Sequence, residues 1–160
     1  MLDAVDIRQL VDVRQVPRSR HNPQFGADAL ARSLTNHAIA YRHEPALGGF
    51  RRPVQGSPNG GWEEPAFQGY ADHMATPEFR DALERLESTA RDRATTIMCA
   101  EAQWWRCHRR LIADALVVRG WRVLHLGLGA EPVTHELTPF AVVGPGESLT
   151  YPPLQGNLDV

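Results

Sequence analysis

Short apolar runs alternating with amphipathic stretches predict an α/β fold for this 160-residue chain. Leu10-Val11-Asp12-Val13, Ile39-Ala40-Tyr41-Arg42, Thr95-Thr96-Ile97-Met98 and the run from Val123 to Leu128 have the length and apolarity of buried strands. Stretches with helical spacing separate them. Strands that alternate with helices build a mostly parallel sheet covered by helices on both faces. The predicted architecture is one α/β domain over residues 1–160, a short Rossmann-like or flavodoxin-like three-layer sandwich.

Each element has its own signal. Leu10 to Val13 reads as a buried strand that ends on Arg14 and a turn at Pro17. It starts only about ten residues into the chain, which predicts an edge position or a missing upstream strand, and leaves an edge-strand dimer open. Arg18 to Pro23 is an irregular basic loop. Ala27 to His37 places Leu30, Ala31 and Leu34 on one helical face, with Asp28 in the first turn. The segment from Gly48 to Gly61 holds five glycines and two prolines, and loops of that length are usually functional or mobile. Helices are expected again around Phe67 to Met74 and from Pro77 to about Arg93. Thr76 would cap the second, whose apolar stripe is Phe79, Leu83, Leu86 and Ala90. A further helix over 106–119 carries Leu111, Ile112, Ala115 and Leu116 and stops at Gly120. Residues 123–127 would return to the same sheet as its fourth strand. The Pro/Gly-rich tail, 129–160, predicts no long helix but a terminal hairpin from Phe140–Val143 and Ser148–Tyr151.

Composition narrows the function classes. Apolar content of 42% and charged content of 22% suit a globular domain that buries about 70% of its unfolded surface. A formal net charge of −2 argues against a general nucleic-acid coat. No apolar run approaches the ~20 residues of a membrane span, and no leader-like segment opens the chain. Cys99 and Cys107 are the two cysteines, too few for a secreted disulfide scaffold. The expected compartment is the cytoplasm. All 17 basic residues are arginines, so lysine Schiff-base chemistry and a lysine-bearing P-loop are excluded. Anions must be met by guanidinium groups, backbone N–H groups or histidine.

The candidate chemistry lies at two places. Arg106, Arg109 and Arg110 fall in the opening turn of the predicted 106–119 helix, where the macrodipole disfavours cations by roughly 0.3–1 kcal/mol each. An anion bound there would account for them. Arg14, Arg18 and Arg20 leave the carboxyl end of another strand, and parallel strands share that rim. The two clusters could converge on a phosphate or carboxylate, or could be neutralised by Glu101, Asp12 and Glu44. Cys99, at a strand end before a helix, has the position of a thiol nucleophile. However, six residues separate it from Arg106, not the five of a Cys-x5-Arg phosphatase loop. Cysteine is also among the most buried residue types. Cys99, Cys107 and His108 lack recognised zinc spacing, so no metal or cofactor is implied. His108 could act as a base, Glu101 could orient an arginine or move a proton, and Tyr70 and Asp72 are polar partners. Trp104 and Trp105 could stack a nucleobase or simply pack.

Several stretches are similar to one family when taken together. They are Leu10-Val11-Asp12-Val13-Arg14; Pro17-Arg18-Ser19-Arg20-x-Asn22-Pro23-Gln24-Phe25; Leu47-Gly48-Gly49; and Gly69-Tyr70-Ala71-Asp72-His73-Met74. To these add Cys99-Ala100-Glu101-x4-Arg106-Cys107-His108-Arg109 with its helix, and Leu149-Thr150-Tyr151-Pro152. Over about residues 8–153 the chain resembles the bacterial family called domain of unknown function 488. That resemblance implies a compact cytosolic α/β domain and no agreed reaction. It implies signature positions at Arg14, Arg18, Arg20, Gly48, Gly49, Tyr70, Asp72, Cys99, Glu101, Arg106, Cys107, His108 and Arg109. It also implies that the chain opens inside a helix around Met1–Ile7, without the family's usual N-terminal strand ending in Gly-His-Ser.

The expected function is therefore a site for a small phosphate- or nucleotide-type anion. Arg14, Arg18, Arg20, Tyr70, Asp72, Arg106 and Arg109 would bind it, and Cys99, Glu101 and His108 would carry the chemistry of a thiol- or histidine-assisted hydrolase or transferase. The alternative is a non-catalytic module that grips nucleic acid or a phosphorylated ligand with the same arginines.

Overall fold

The computed structural model describes residues 1–127, 129 and 131–154. In chain order the regular elements among them are β1 (Gln9–Asp12), α1 (Ala27–Thr35), β2 (Ala40–His43), α2 (Pro65–Met74), α3 (Pro77–Asp92), β3 (Thr95–Met98), α4 (Arg109–Val118), β4 (Leu124–His125), β5 (Val133–Thr134), β6 (Val142–Val143) and β7 (Leu149–Thr150), with short 3-10 turns between several of them. The chain divides into two compact units. One comprises Met1–Gly49 and Pro77–Ala100, the other Phe50–Thr76 and Glu101–Val160.

The first unit carries the predicted parallel sheet, in the order β2-β1-β3 among the described residues. Leu10 pairs with Tyr41 on one side and Thr96 on the other. Alternation along the strands sets the two faces. Leu10 joins Ile7, Leu30, Leu34 and Ile39 in a core under α1, with Leu2, Tyr41 and Met98 packed against it. Arg42, the neighbour of Tyr41, points the other way, and its Nη1 donates to Thr89 Oγ1 of α3 at 2.9 Å. Helices therefore cover both faces of this sheet, as the alternation of elements predicts. The first strand is not an edge, however. β1 is the central strand, buried along its whole length, so its two polar residues, Gln9 and Asp12, are buried as well.

In the second unit α2 and α4 pack together and α2 also meets β7. Pro65 opens α2 two residues before its expected start, as proline does readily at a first helical position. Gly69 lies where a Cβ would approach the Arg51 carbonyl oxygen to 2.4 Å, so only glycine lets the helix come so close to the 51–52 backbone. α4 is shorter than the expected 106–119 helix. Residues Trp104–Arg106 form a separate 3-10 turn, and Cys107, in extended conformation, breaks the helix from it. Arg106 thus lies outside the opening turn of α4, whereas Arg109 and Arg110 lie within it. The C-terminal stop is as predicted, with Gly120 at φ +89°.

The 123–127 run is a correction. It does not extend the parallel sheet. Leu124 and His125 pair antiparallel with Thr134 and Val133 in a separate ribbon. Segments so close in sequence can pair locally, at lower loop-closure cost than pairing with strands far away along the chain. The expected terminal hairpin is present, with Val142 opposite Thr150 and Val143 opposite Leu149. Leu128, and the tail beyond Leu154, lie outside the described residues. Among the described residues no helix is long and apolar enough to cross a membrane.

Candidate functional site

The first unit holds the candidates Arg14, Arg18, Arg20 and Cys99. Parallel pairing of β1 with β3 makes Arg14 and Cys99 leave the same end of the sheet. Arg18 and Arg20 are exposed on the loop after β1, and Cys99 is half-buried. Arg14 is not a free cation. It is only 5% exposed, and it grips Asp12 with Nε (2.8 Å), Nη2 (2.6 Å) and its backbone N–H (3.1 Å). Tyr41 donates its hydroxyl to the same carboxylate at 2.7 Å, and His43 Nε2 donates to the Arg14 carbonyl at 2.7 Å. Burial pushes the Asp12 carboxyl up, but hydrogen bonds from Arg14 and Tyr41 and the guanidinium charge outweigh it and hold it below the ordinary range. Tyr41 moves upward, first through burial and then through that carboxylate. Of the acids expected to neutralise the two arginine clusters, Asp12 does so for Arg14. Glu44 instead takes a bidentate bond from Arg85 of α3.

The second unit holds Tyr70, Asp72, Glu101, Arg106, His108 and Arg109. Asp72 is engaged by its own loop. Its carboxylate accepts from the Val54 N–H, the Ser57 hydroxyl and the Asn59 amide at 2.6–2.9 Å, which pins the glycine-rich 50–61 segment to α2. Tyr70 is fully buried, its ring 5.0 Å from that of His108. Glu101 receives the Gln103 N–H on its carboxylate, while its backbone carbonyl, not its side chain, accepts from Arg109 Nη2. Arg109 Nε also points at the Cys107 sulfur, 3.4 Å away, and His108 Nδ1 stands 3.6 Å from that sulfur. Cys107 is buried. Arg110 donates to Thr138 Oγ1 and lies over the Trp62 ring, a structural use of a residue expected in the anion cluster. Arg106 is exposed at the end of the 3-10 turn.

A second constellation in this unit was not singled out from the sequence. Asp114, on the buried side of α4, is fully enclosed. Its Oδ1 accepts from His135 Nε2 (2.8 Å) and from the Thr138 N–H (3.0 Å), and its Oδ2 from the Tyr151 hydroxyl (2.8 Å). His135 Nδ1 in turn lies 2.9 Å from His125 Nε2. The His125 ring stacks flat on Trp104, with centroids 3.7 Å apart and planes inclined by 2°. The β4–β5 ribbon creates this arrangement, since His125 sits on β4 and His135 directly follows β5. The sequence signal was an aspartate three residues after Leu111, beside the apolar face of the helix, together with two histidines bracketing a proline turn.

Electrostatics separate the two histidines' roles. Burial, then the neighbouring His135, then the Arg109 charge push His125 down to about 4. It is therefore neutral at pH 7. In the unfolded chain it would titrate near 6.5, so the folded form loses stability as pH falls from there towards 4. Replacing Arg109 by alanine removes a positive neighbour and is expected to raise the His125 midpoint, read from its ring proton shifts in an NMR titration. An unchanged midpoint would show that Arg109 does not reach the ring.

The sequence comparisons bear on family alone. No curated protein and no solved structure matches the chain significantly. A family model does match. It covers Asp114 and every residue named above on α4 and before it, whereas His125, His135, Thr138 and Tyr151 lie beyond it. The model spans residues 1–116 of 160, well over half, and the chain belongs to the family described as Domain of unknown function DUF488.

Proposed function

We propose that the chain is a small cytoplasmic enzyme that binds a phosphate- or nucleotide-type anion and acts on it as a histidine-assisted hydrolase or transferase. The observation that carries this reading is Arg109, a cation at the first residue of α4, close in sequence to the Trp104–Arg106 turn whose Trp104 ring stacks on His125. A guanidinium there opposes the helix dipole, and an oxyanion between the two would reverse the penalty. No acidic residue stands in that first turn. Exposed Arg106, three residues earlier, supplies a second guanidinium for the same anion. An anion bound beside Arg109 would offset the positive charge that helps push His125 down, and so bring the imidazole towards the range in which it can take a proton from an attacking water.

Calorimetric titration with inorganic phosphate, sulfate and mononucleotides tests the reading. Wild-type protein is expected to bind at least one of them saturably, and Arg109→Ala to weaken that binding at least about tenfold, since a hydrogen bond to a charged group contributes roughly 1.5–3 kcal/mol. Absence of binding, or equal binding by the variant, overturns it. A second reading is favoured by Trp105, an indole 49% exposed beside exposed Arg106. There the surface stacks a base and holds a strand of nucleic acid. Affinity for a single-stranded oligonucleotide that falls steeply with salt selects that reading.

A further inference from the structure

We infer that His125 is the catalytic base and acid of this site, acting through Nδ1, and that His135, Asp114, Thr138 and Tyr151 are positioning residues that fix its proton. The inference rests on the oxyanion reading above and deepens it by naming the reacting atom.

The direction of the hydrogen bonds carries the argument. The Thr138 N–H and the Tyr151 hydroxyl donate to Asp114, whose carboxylate also takes the His135 Nε2–H. In the relay we infer, His135 carries one ring proton, on Nε2 where the carboxylate holds it; Nδ1 is then the acceptor and the proton between the rings belongs to His125 Nε2. The lone pair left over is at His125 Nδ1. Every donor in the chain points inward to one buried carboxylate, and the basic atom is at the outer end. Exposure follows the same order, from Asp114 at 0% through His135 at 5% to half-buried His125. Trp104, stacked flat on the ring, fixes the plane in which that lone pair lies.

His125 satisfies the second ring nitrogen of buried His135 and, unlike a group that serves that end alone, carries a further lone pair of its own at Nδ1. A second imidazole in line with the first does what an apolar ring cannot. When Nδ1 accepts a proton, the charge on the ring strengthens the Nε2–H bond to His135, which presents its other N–H to the carboxylate. The logic is that of an acid–histidine pair in nucleophilic catalysis, lengthened by one ring.

For a phosphate ester the step balances as follows. A water oxygen bonds to phosphorus while one of its protons passes to His125 Nδ1. The bond from phosphorus to the ester oxygen breaks, its electron pair leaving with that oxygen. The proton on Nδ1 is then delivered to the departing oxygen, giving an alcohol and phosphate and restoring the neutral ring. Arg109 balances charge on the phosphoryl oxygens and needs no proton transfer.

The test pairs turnover of p-nitrophenyl phosphate with binding of inorganic phosphate, using the full chain. His125→Gln is expected to bind phosphate within about twofold of wild type and to hydrolyse the ester at least about 100-fold more slowly, in line with the usual share of general acid–base catalysis. Long-range proton–nitrogen correlation spectra of wild-type protein should show both His125 and His135 as Nε2–H tautomers, and His135→Phe, which removes the acceptor of the His125 Nε2–H, should remove that bias at His125. Wild-type protein that binds phosphate but is hydrolytically inert, or a His125→Gln variant of full activity, overturns the catalytic assignment and leaves the anion site standing. Absence of binding to inorganic phosphate, sulfate and mononucleotides alike overturns the oxyanion reading itself. An Nδ1–H tautomer at His125 refutes the relay direction whether or not either variant folds.

Discussion

Asp114→Ala is expected to destabilise the protein by about 3–5 kcal/mol, the usual cost of removing one partner from a buried charged network. The substitution leaves the Thr138 N–H, the Tyr151 hydroxyl and His135 Nε2 without their acceptor in a fully buried site. Each orphaned donor costs roughly 1–3 kcal/mol, against a total stability of about 5–15 kcal/mol for a typical domain. The damage spreads because these donors come from two segments, the stretch after β5 that holds His135 and Thr138 and the one after β7 that holds Tyr151, and Tyr151 also donates its N–H to Asn59, which in turn holds Asp72. Asp114→Asn keeps the shape and one carbonyl oxygen, so its loss should be clearly smaller. Urea unfolding followed by tryptophan fluorescence measures both. An alanine variant within about 1 kcal/mol of wild type would show that the carboxylate does not tie residues 135–151 to α4.

Asp12→Ala is expected to have a comparable effect in the first unit. Arg14 is almost fully enclosed, and three of its donors, with the Tyr41 hydroxyl, converge on this one carboxylate. Truncation would leave a buried guanidinium uncompensated, again costing about 3–5 kcal/mol. The double variant Asp12→Ala with Arg14→Met should recover part of the loss, because an apolar pair of similar size needs no partner. The pH dependence has a definite sign. The folded-state value of Asp12 lies below its ordinary 3.8, so its stabilisation is complete above that pH and is lost as pH falls through the lower, folded-state value. Equal stability of the wild-type and alanine forms at neutral pH would refute the account. So would a double variant no more stable than the single one.

Much of the first unit was legible because local signals and tertiary demand agree there. The runs at Leu10, Ile39 and Thr95 are strands because short apolar segments between helices have few other ways to bury both faces. Gly120 ends α4 at positive φ as its residue type suggests. The order of the strands was not legible. β1 is the middle strand although it comes first in the chain, since pairing order depends on how crossovers return and not on composition. The 123–127 segment reads as a strand in either setting, and only the competition between a nearby partner, Val133–Thr134, and the distant sheet decides which it joins.

For the site, sequence alone determined which residue types were available: arginine without lysine, two cysteines, and an unusual concentration of chemistry between Cys99 and Arg110. The resemblance carried by those residues also led to the right family. Which of them are already engaged was decided by the fold. Arg14 reads like Arg18 in sequence, but Arg14 is enclosed against Asp12 while Arg18 stands in solvent. Glu101 is expected to orient an arginine or move a proton, and it is its backbone carbonyl that meets Arg109 while its carboxylate takes the Gln103 N–H. The Asp114–His135–His125 chain had no sequence motif because its members come from a helix, a strand and a segment after another strand, 10–21 residues apart. A spacing rule exists only where one element sets the geometry. Here an antiparallel ribbon and a buried carboxylate set it together, and only three-dimensional packing aligns the two.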